Sequence, residues 1–183
     1  SASFYERFLD SEFILIYQLD AFVFKNTLEE WCKKGYDYIG APWIATQHKN
    51  AVMKLFGKTA ALFDSKKKKE RKQIFYKVGN GGFSLRKVSS HYKIAKEQRA
   101  FISDFLNAEK KEIHAIEDVF WSLKAPEFYK DFIIPDYEEA LHFAIDRKPK
   151  IAFEIINKEI PFGCHGINKP KVIDFWKPIL DKY

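Results

Sequence analysis

Sulfur and glycine are scarce in this chain. Two cysteines, Cys32 and Cys164, stand far apart with no CxxC spacing, in 183 residues that hold one methionine and eight glycines. That pair excludes a cysteine zinc site and argues against a secreted disulfide scaffold, so both read as reduced thiols in a cytosolic setting. Long apolar runs are missing too. The uninterrupted stretches are a handful of residues each, far short of the roughly 18 to 20 that cross a bilayer, and no charged-then-apolar leader opens the sequence. A soluble or peripheral protein is expected. Also absent are GxGxxG, a P-loop, HExxH and a nucleophile elbow, which leaves covalent hydrolase and P-loop readings without a foothold.

What is present suits one ordinary core. Hydrophobic residues make up 46% and charged residues 31%, which excludes a disordered or collagen-like chain, and one domain spanning 1–183 is expected. Lysine and arginine number 31 against 25 acids, a net charge of +6. A nucleic-acid partner is not expected, because the surplus is concentrated in residues 66–72 with no ring interleaved and no RNP strand. Aromatics are abundant at 17%. Rings in such number fill a core, and the excess also offers stacking platforms for sugars or bases.

Along the chain, residues 13–17 (Phe-Ile-Leu-Ile-Tyr) form a continuous β-former run, the pattern of a strand covered on both faces. Residues 21–24 continue the β character. Asn26-Thr27 opens a helix over 28–34 that Gly35 stops. Residues 36–43 give a short strand broken by Gly40 and Pro42, rich in rings. The segment 52–56 is amphipathic, and the dense like charge of 66–72 predicts a solvated surface. Three glycines precede a strand at 83–86. Helical patterning follows over 88–112 and 117–123, then a helix at 137–146, a strand at 152–155, and a turn-rich loop at 161–166 that carries His165. The fold class is therefore mixed α/β with short strands and long connections.

Four places combine a strand end or glycine-rich loop with a group that titrates or binds metal. Asp20 follows the first strand, where ligands gather in open α/β sheets, and suits a hard cation or a simple turn. Asn80-Gly81-Gly82 lets a ligand approach closely or serves as a tight turn. Glu117-Asp118 starts a helix, where an acid either offsets the helix dipole or acts as a general base. His165, between glycines, can complete a metal site or meet a phosphate.

Taken in order, the segments Tyr17-Gln18-Leu19-Asp20-Ala21-Phe22, Tyr36 to Trp43, Gly79 to Arg86, Glu117-Asp118-Val119-Phe120 and Pro161 to His165 form a set. That set resembles a bacterial domain family of unassigned function found among surface-polysaccharide genes, similar to nucleotide-sugar glycosyltransferases of the GT-A fold. The resemblance implies a GT-A-like mixed sheet flanked by helices that lacks the N-terminal nucleotide-binding half, the acceptor and metal side of a longer protein. It implies transfer of a sugar from a nucleotide-diphosphate sugar to a glycan or lipid-linked acceptor. Asp20 resembles the last acid of the DxD signature that holds Mn²⁺ or Mg²⁺, with Gln18 at its first position, and His165 resembles the late histidine at that centre. Asn80, Gly81 and Gly82 resemble the turn lining the sugars, and Lys169 would neutralise the leaving diphosphate. Glu117 and Asp118 resemble the acidic pair that supplies the base, Asp118 foremost. Trp43 and Tyr38 could stack on a sugar face, with a core place favoured for Tyr38. Lipid-linked acceptors add the expectation of a cytoplasmic protein whose 52–56 and 66–72 segments touch an anionic membrane surface. The competing reading is a non-catalytic carbohydrate-binding module on the same fold, favoured by Gln18 and by the absent nucleotide half.

Overall fold

The computed structural model describes residues 1–45, 72–107 and 116–182. It is a mixed α/β fold with two small sheets flanked by helices. In chain order these are α1 (Ala2–Glu6), β1 (Phe13–Tyr17), β2 (Ala21–Val23), α2 (Leu28–Lys33), β3 (Tyr38–Gly40), β4 (Phe83–Lys87), α3 (Val88–Glu97), α4 (Arg99–Leu106) and α5 (Glu117–Val119). A π-helical turn, Phe120–Lys124, runs on into α6 (Ala125–Phe128), followed by α7 (Tyr137–Phe143), β5 (Ala144–Ile145), α8 (Pro149–Ile155), β6 (Gly163–His165) and α9 (Pro170–Leu180).

The first sheet has the order β1-β4-β3, antiparallel throughout. Its central strand alternates Phe83 and Leu85 with Ser84 and Arg86, all four buried. Period-two alternation sends the apolar pair to one face and the polar pair to the other. On the apolar face Phe83 stacks on Phe143 and Phe162, with ring centroids 5.5 and 5.9 Å away. Strand β1 is not covered on both faces as its composition predicts. It is an edge strand, half-buried over most of its length and exposed at Tyr17, because β4 pairs with it on one side only.

The second sheet has the order β2-β6-β5, with β2 antiparallel and β5 parallel to β6. Three sequence expectations are corrected in this half. Residues 163–165 belong to its central strand rather than to a loop, since Gly-Cys-His carries no alternation and is ordered only by its two neighbours. Residues 152–155 lie in a helix that begins at Pro149, where the missing N–H costs nothing. Ala152 and Ile156 are buried one helical turn apart, a period of about 3.6 rather than 2. The helix expected over 137–146 ends at Phe143 and gives way to β5, and Asp136 caps it by accepting from the Glu139 N–H at 2.8 Å. The 88–112 pattern resolves into α3 and α4, with 108–112 outside the described residues.

Two apolar clusters hold these sheets. One joins Tyr5, Tyr38, Leu85, Phe120, Trp121 and Phe143 around the first sheet, and the other joins Phe24, Leu141, Ile145, Ile156 and Trp176 beneath α8 and α9. Tyr38 is wholly buried, which gives it to the core and not to a sugar. Both cysteines are free. No helix among the described residues is long and apolar enough to cross a membrane. Segments 52–56 and 66–71, on which membrane contact was expected, lie outside the described residues.

Candidate functional site

Three strand ends bring one histidine and two carboxylates to a single sheet edge. Ala21 pairs with His165 in the antiparallel register, so Asp20, one residue before β2, arrives beside the imidazole. Strand β5 runs parallel to β6 with Ile145 opposite Cys164, so the next residues, Asp146 and His165, emerge side by side. The first sheet adds Gln18, because Tyr17 pairs with Phe83 and the Gln18 N–H donates to the Gly82 carbonyl at 2.9 Å.

His165 is the hub of that edge. Its Nε2 lies 3.1 Å from Asp20 Oδ1 and 3.2 Å from Gln18 Oε1, and its Nδ1 lies 3.1 Å from Asn80 Nδ2 and 3.4 Å from Asp146 Oδ1. The Gly82 N–H donates to Asn80 Oδ1 at 2.9 Å, which turns the Asn80 amino group towards Nδ1. Nδ1 thus faces an amino group and a carboxylate, and Nε2 faces the Asp20 carboxylate and the Gln18 amide oxygen. Lys169 Nζ donates to Asp146 Oδ1 at 3.2 Å. Burial raises the Asp146 carboxyl, yet the contacts from His165 and Lys169 outweigh it and hold the group below its ordinary value.

The turn at Asn80 to Gly82 is shaped for this contact. Asn80 adopts a left-handed φ of 70°, and a Cβ on Gly82 would run into both Gln18 Oε1 and His165 Nε2. Gly81, on the other side of the turn, faces the acidic pair: a Cβ there would lie 2.9 Å from Glu117 Oε2 and 3.9 Å from the Asp118 Cβ. Asp118 Oδ1 accepts from the Val119 N–H at 2.9 Å. Burial and then the Glu117 charge push its carboxyl up, against the pull of backbone N–H groups that include that of Gly81. Among the described residues no cationic side chain pairs with Asp118.

Glu117 is placed differently. Its Oε1 accepts from Arg86 Nη1 at 2.5 Å and from Trp121 Nε1 at 2.6 Å, and its Oε2 from Arg86 Nη2 at 3.3 Å. Arg86 is 4% exposed and also donates to the Tyr5 hydroxyl at 2.7 Å and to Ser84 Oγ at 3.0 Å. Glu117 is thus the counter-charge of a buried guanidinium that ties β4 to α1 and α5.

A cleft of about 530 Å³ opens over this edge. It brings together Trp43, Asn80, Gly81, Gly82, Asp118 and His165, with Lys169 at its rim, while Glu117 is not among its lining residues and Asp20 meets it only through His165. The Trp43 ring packs against Gly79, where a Cβ would come within 2.2 Å of two ring carbons. Three residues that sequence reasoning missed complete the cleft: Asp146, Arg147 and Lys148. Lys148 has a left-handed φ of 58°, donates to the Ile44 carbonyl at 2.7 Å, and sits 5.6 Å from the centroid of the Phe75 ring. Its ammonium is held below its ordinary value by burial and by Arg147. The signal that singled out Asp20, a polar residue directly after a strand, applies equally to Asp146 once β5 is separated from α7.

No group of three or more His, Cys, Asp or Glu among the described residues is placed to hold a metal. The nearest set is Asp20 Oδ1, His165 Nε2 and the Gln18 amide oxygen. Neighbouring ligands on a cation with bonds of about 2.1 Å sit about 3 Å apart, and the 3.1 and 3.2 Å separations fit that spacing. A cation on Nε2 requires the ring proton on Nδ1, where Asp146 Oδ1 is the acceptor at hand.

A family model described as "Protein of unknown function (DUF5672)" matches residues 1–165, and the chain belongs to that family. The match takes in every residue of the cleft named above except Lys169. No curated protein and no solved structure matches the chain.

Proposed function

We propose that this member of the family is a glycosyltransferase of GT-A type, transferring a sugar from a nucleotide-diphosphate sugar to a hydroxyl acceptor. The observation that carries the reading is one cleft in which a half-buried carboxylate with no cationic partner among the described residues, Asp118, shares the Asn80 to Gly82 turn with an end bearing Arg147, Lys148 and Lys169. Transfer needs those two poles. The acceptor oxygen bonds to the anomeric carbon, its proton passes to Asp118, and the bond from that carbon to the diphosphate oxygen breaks with the electron pair leaving on the diphosphate. A carboxyl raised by burial is a stronger base than an ordinary one and suits the proton transfer.

At the other pole Lys169, Arg147 and Lys148 offset the charge gathering on the diphosphate. Among the described residues three cations stand there against two acids, Asp146 and Asp20, so the pole favours an anion. Mn²⁺ or Mg²⁺, held by Asp20, His165 and Gln18, would supply Lewis-acid stabilisation of the same leaving group. Trp43 offers a ring face to the sugar, and the small Gly81 and Gly82 let the pyranose approach the backbone.

A thermal-shift panel of UDP-, GDP-, CMP- and dTDP-sugars, each with and without Mn²⁺, tests the reading. Stabilisation by one nucleotide class, greater with the metal, is expected by mass action on the folded state. No shift with any donor overturns transfer and leaves the carbohydrate-binding module.

A further inference from the structure

Glu117 and Asp118 open onto different cavities. Asp118 lines the polar cleft, whereas Glu117 lines a separate groove of about 440 Å³ walled by Phe4, Ile16, Ile102, Leu106, Phe120 and Trp121. Gly81 lines both. The partition between the two cavities is therefore a residue with no side chain, flanked by the acidic pair.

The groove has the character of an apolar ligand site with one polar end. Its walls are aliphatic and aromatic, and at its inner end lie the Gly81 carbonyl and the Glu117 carboxylate, whose side chain is 46% exposed. Among the described lining residues the charged side chains are Arg86 and Glu117, which pair, so these side chains present no net charge to a ligand. At its outer end the groove runs onto α4, a helix with no buried residue. There Phe101, Leu106 and Phe128 are 39, 41 and 42% exposed, with the Phe101 and Phe128 rings 4.9 Å apart. An apolar surface of this kind, adjoining the cleft across one glycine, marks a binding site rather than an ordinary exterior.

We infer that the groove holds the acceptor, and that the acceptor is an uncharged alkyl or prenyl chain bearing a hydroxyl-rich head. The chain lies along Phe4, Ile102 and Leu106. The head reaches Gly81, where one hydroxyl hydrogen-bonds Glu117 and the reacting hydroxyl passes to Asp118. The proton lost by that hydroxyl goes to Asp118, and its oxygen takes the sugar as the donor's diphosphate leaves. This assignment rests on the transferase reading and adds to it the class of the second substrate and a role for Glu117 in holding that substrate.

Titration of the full chain with n-decyl β-D-glucopyranoside below its micelle concentration, followed by tryptophan fluorescence and calorimetry, tests the groove directly. Saturable binding at least about tenfold tighter than that of glucose is expected, since burying a few methylenes exceeds the 1.4 kcal/mol that a factor of ten requires. Ile102→Glu and Leu106→Glu, at partly exposed positions that tolerate a charge, are expected to weaken it by about tenfold or more. Their thermal shift with the nucleotide sugar is expected to stay unchanged. Equal affinity for glucose, or binding indifferent to both substitutions, overturns the inference. So does a dimer in sedimentation that the glycoside dissociates, because the groove would then be covered by a second copy of the chain. The two readings fail separately: nucleotide stabilisation without glycoside binding sinks only the groove, and glycoside binding without nucleotide stabilisation sinks the transfer.

Discussion

Glu117 and Asp118 share a peptide bond, an acid group and a helix start, and their surroundings set them apart. Glu117 meets a guanidinium almost wholly withdrawn from water and an indole N–H, so its charge is committed to holding β4 against α1 and α5. Asp118, one residue on, has backbone N–H groups as its partners among the described residues and a carboxyl pushed up by burial and by the neighbouring charge. The two neighbours therefore differ in what holds them: Glu117 is paired with a buried guanidinium, while Asp118 lines the cleft, where the proposed transfer uses it as the base.

The sharpest way to break that contrast is Asp118→Asn. Loss of the base is expected to slow transfer by about 10²- to 10⁴-fold while leaving the thermal shift with the donor intact. The same substitution should raise the melting temperature near neutral pH. A carboxyl whose folded value lies above its unfolded value binds its proton more tightly when folded, so stability falls as pH rises through that interval, and the amide removes the cost. An equal loss of donor binding and turnover would count against the assignment.

Arg86→Met attacks the other side of the comparison. Removing a buried charge from its partner costs about 3–5 kcal/mol, read by denaturant unfolding. Glu117→Gln is expected to cost less, about 1–3 kcal/mol, because the amide oxygen still accepts from Arg86 and Trp121. A larger loss from Glu117→Gln than from Arg86→Met would show that the guanidinium is not what the carboxylate serves.

The smallest expected effect is a pH dependence set behind the same network. His91 is wholly buried against Tyr5, Tyr38 and Trp121, its Nδ1 is 2.9 Å from the Lys87 carbonyl, and burial followed by the Arg86 charge holds it well below its ordinary value of 6.5. A base that resists protonation when folded contributes stability that is full above pH 6.5 and lost as pH falls below it. Melting temperature should therefore fall between pH 7.5 and pH 5, with a shallower slope in His91→Leu. An unchanged slope in that variant would place the acid sensitivity elsewhere. Asp146, held low by His165 and Lys169, adds a further loss only as pH drops through 3.8.

The first sheet was more legible in the sequence than the second, for a physical reason. Strands β1 and β4 are five residues each and carry their own hydrophobic signal, so a window of chain suffices to find them. The second sheet is made of segments of two and three residues. Such pieces exist only because neighbours complete their hydrogen bonds, and that is why Gly163–His165 looked like a loop and Ala144–Ile145 like the end of a helix. Asp146, Arg147 and Lys148 went unseen with them, since a strand end cannot be recognised before the strand is.

The sequence by itself determined the kinds of group available: a carboxylate pair at a helix start, a glycine turn, an acid after a strand, a late histidine and a late lysine. It determined the mixed α/β class as well, through alternating short apolar runs and amphipathic stretches. Only the tertiary structure decided which of these groups meet. Arg86 carries no local mark of function, yet its burial captured Glu117 and left Asp118 to the cleft. The register of β2, β5 and β6 then set Asp20 and Asp146 on either side of one imidazole. Proximity across long sequence separations is a property of strand pairing and packing, and no single segment of chain contains it.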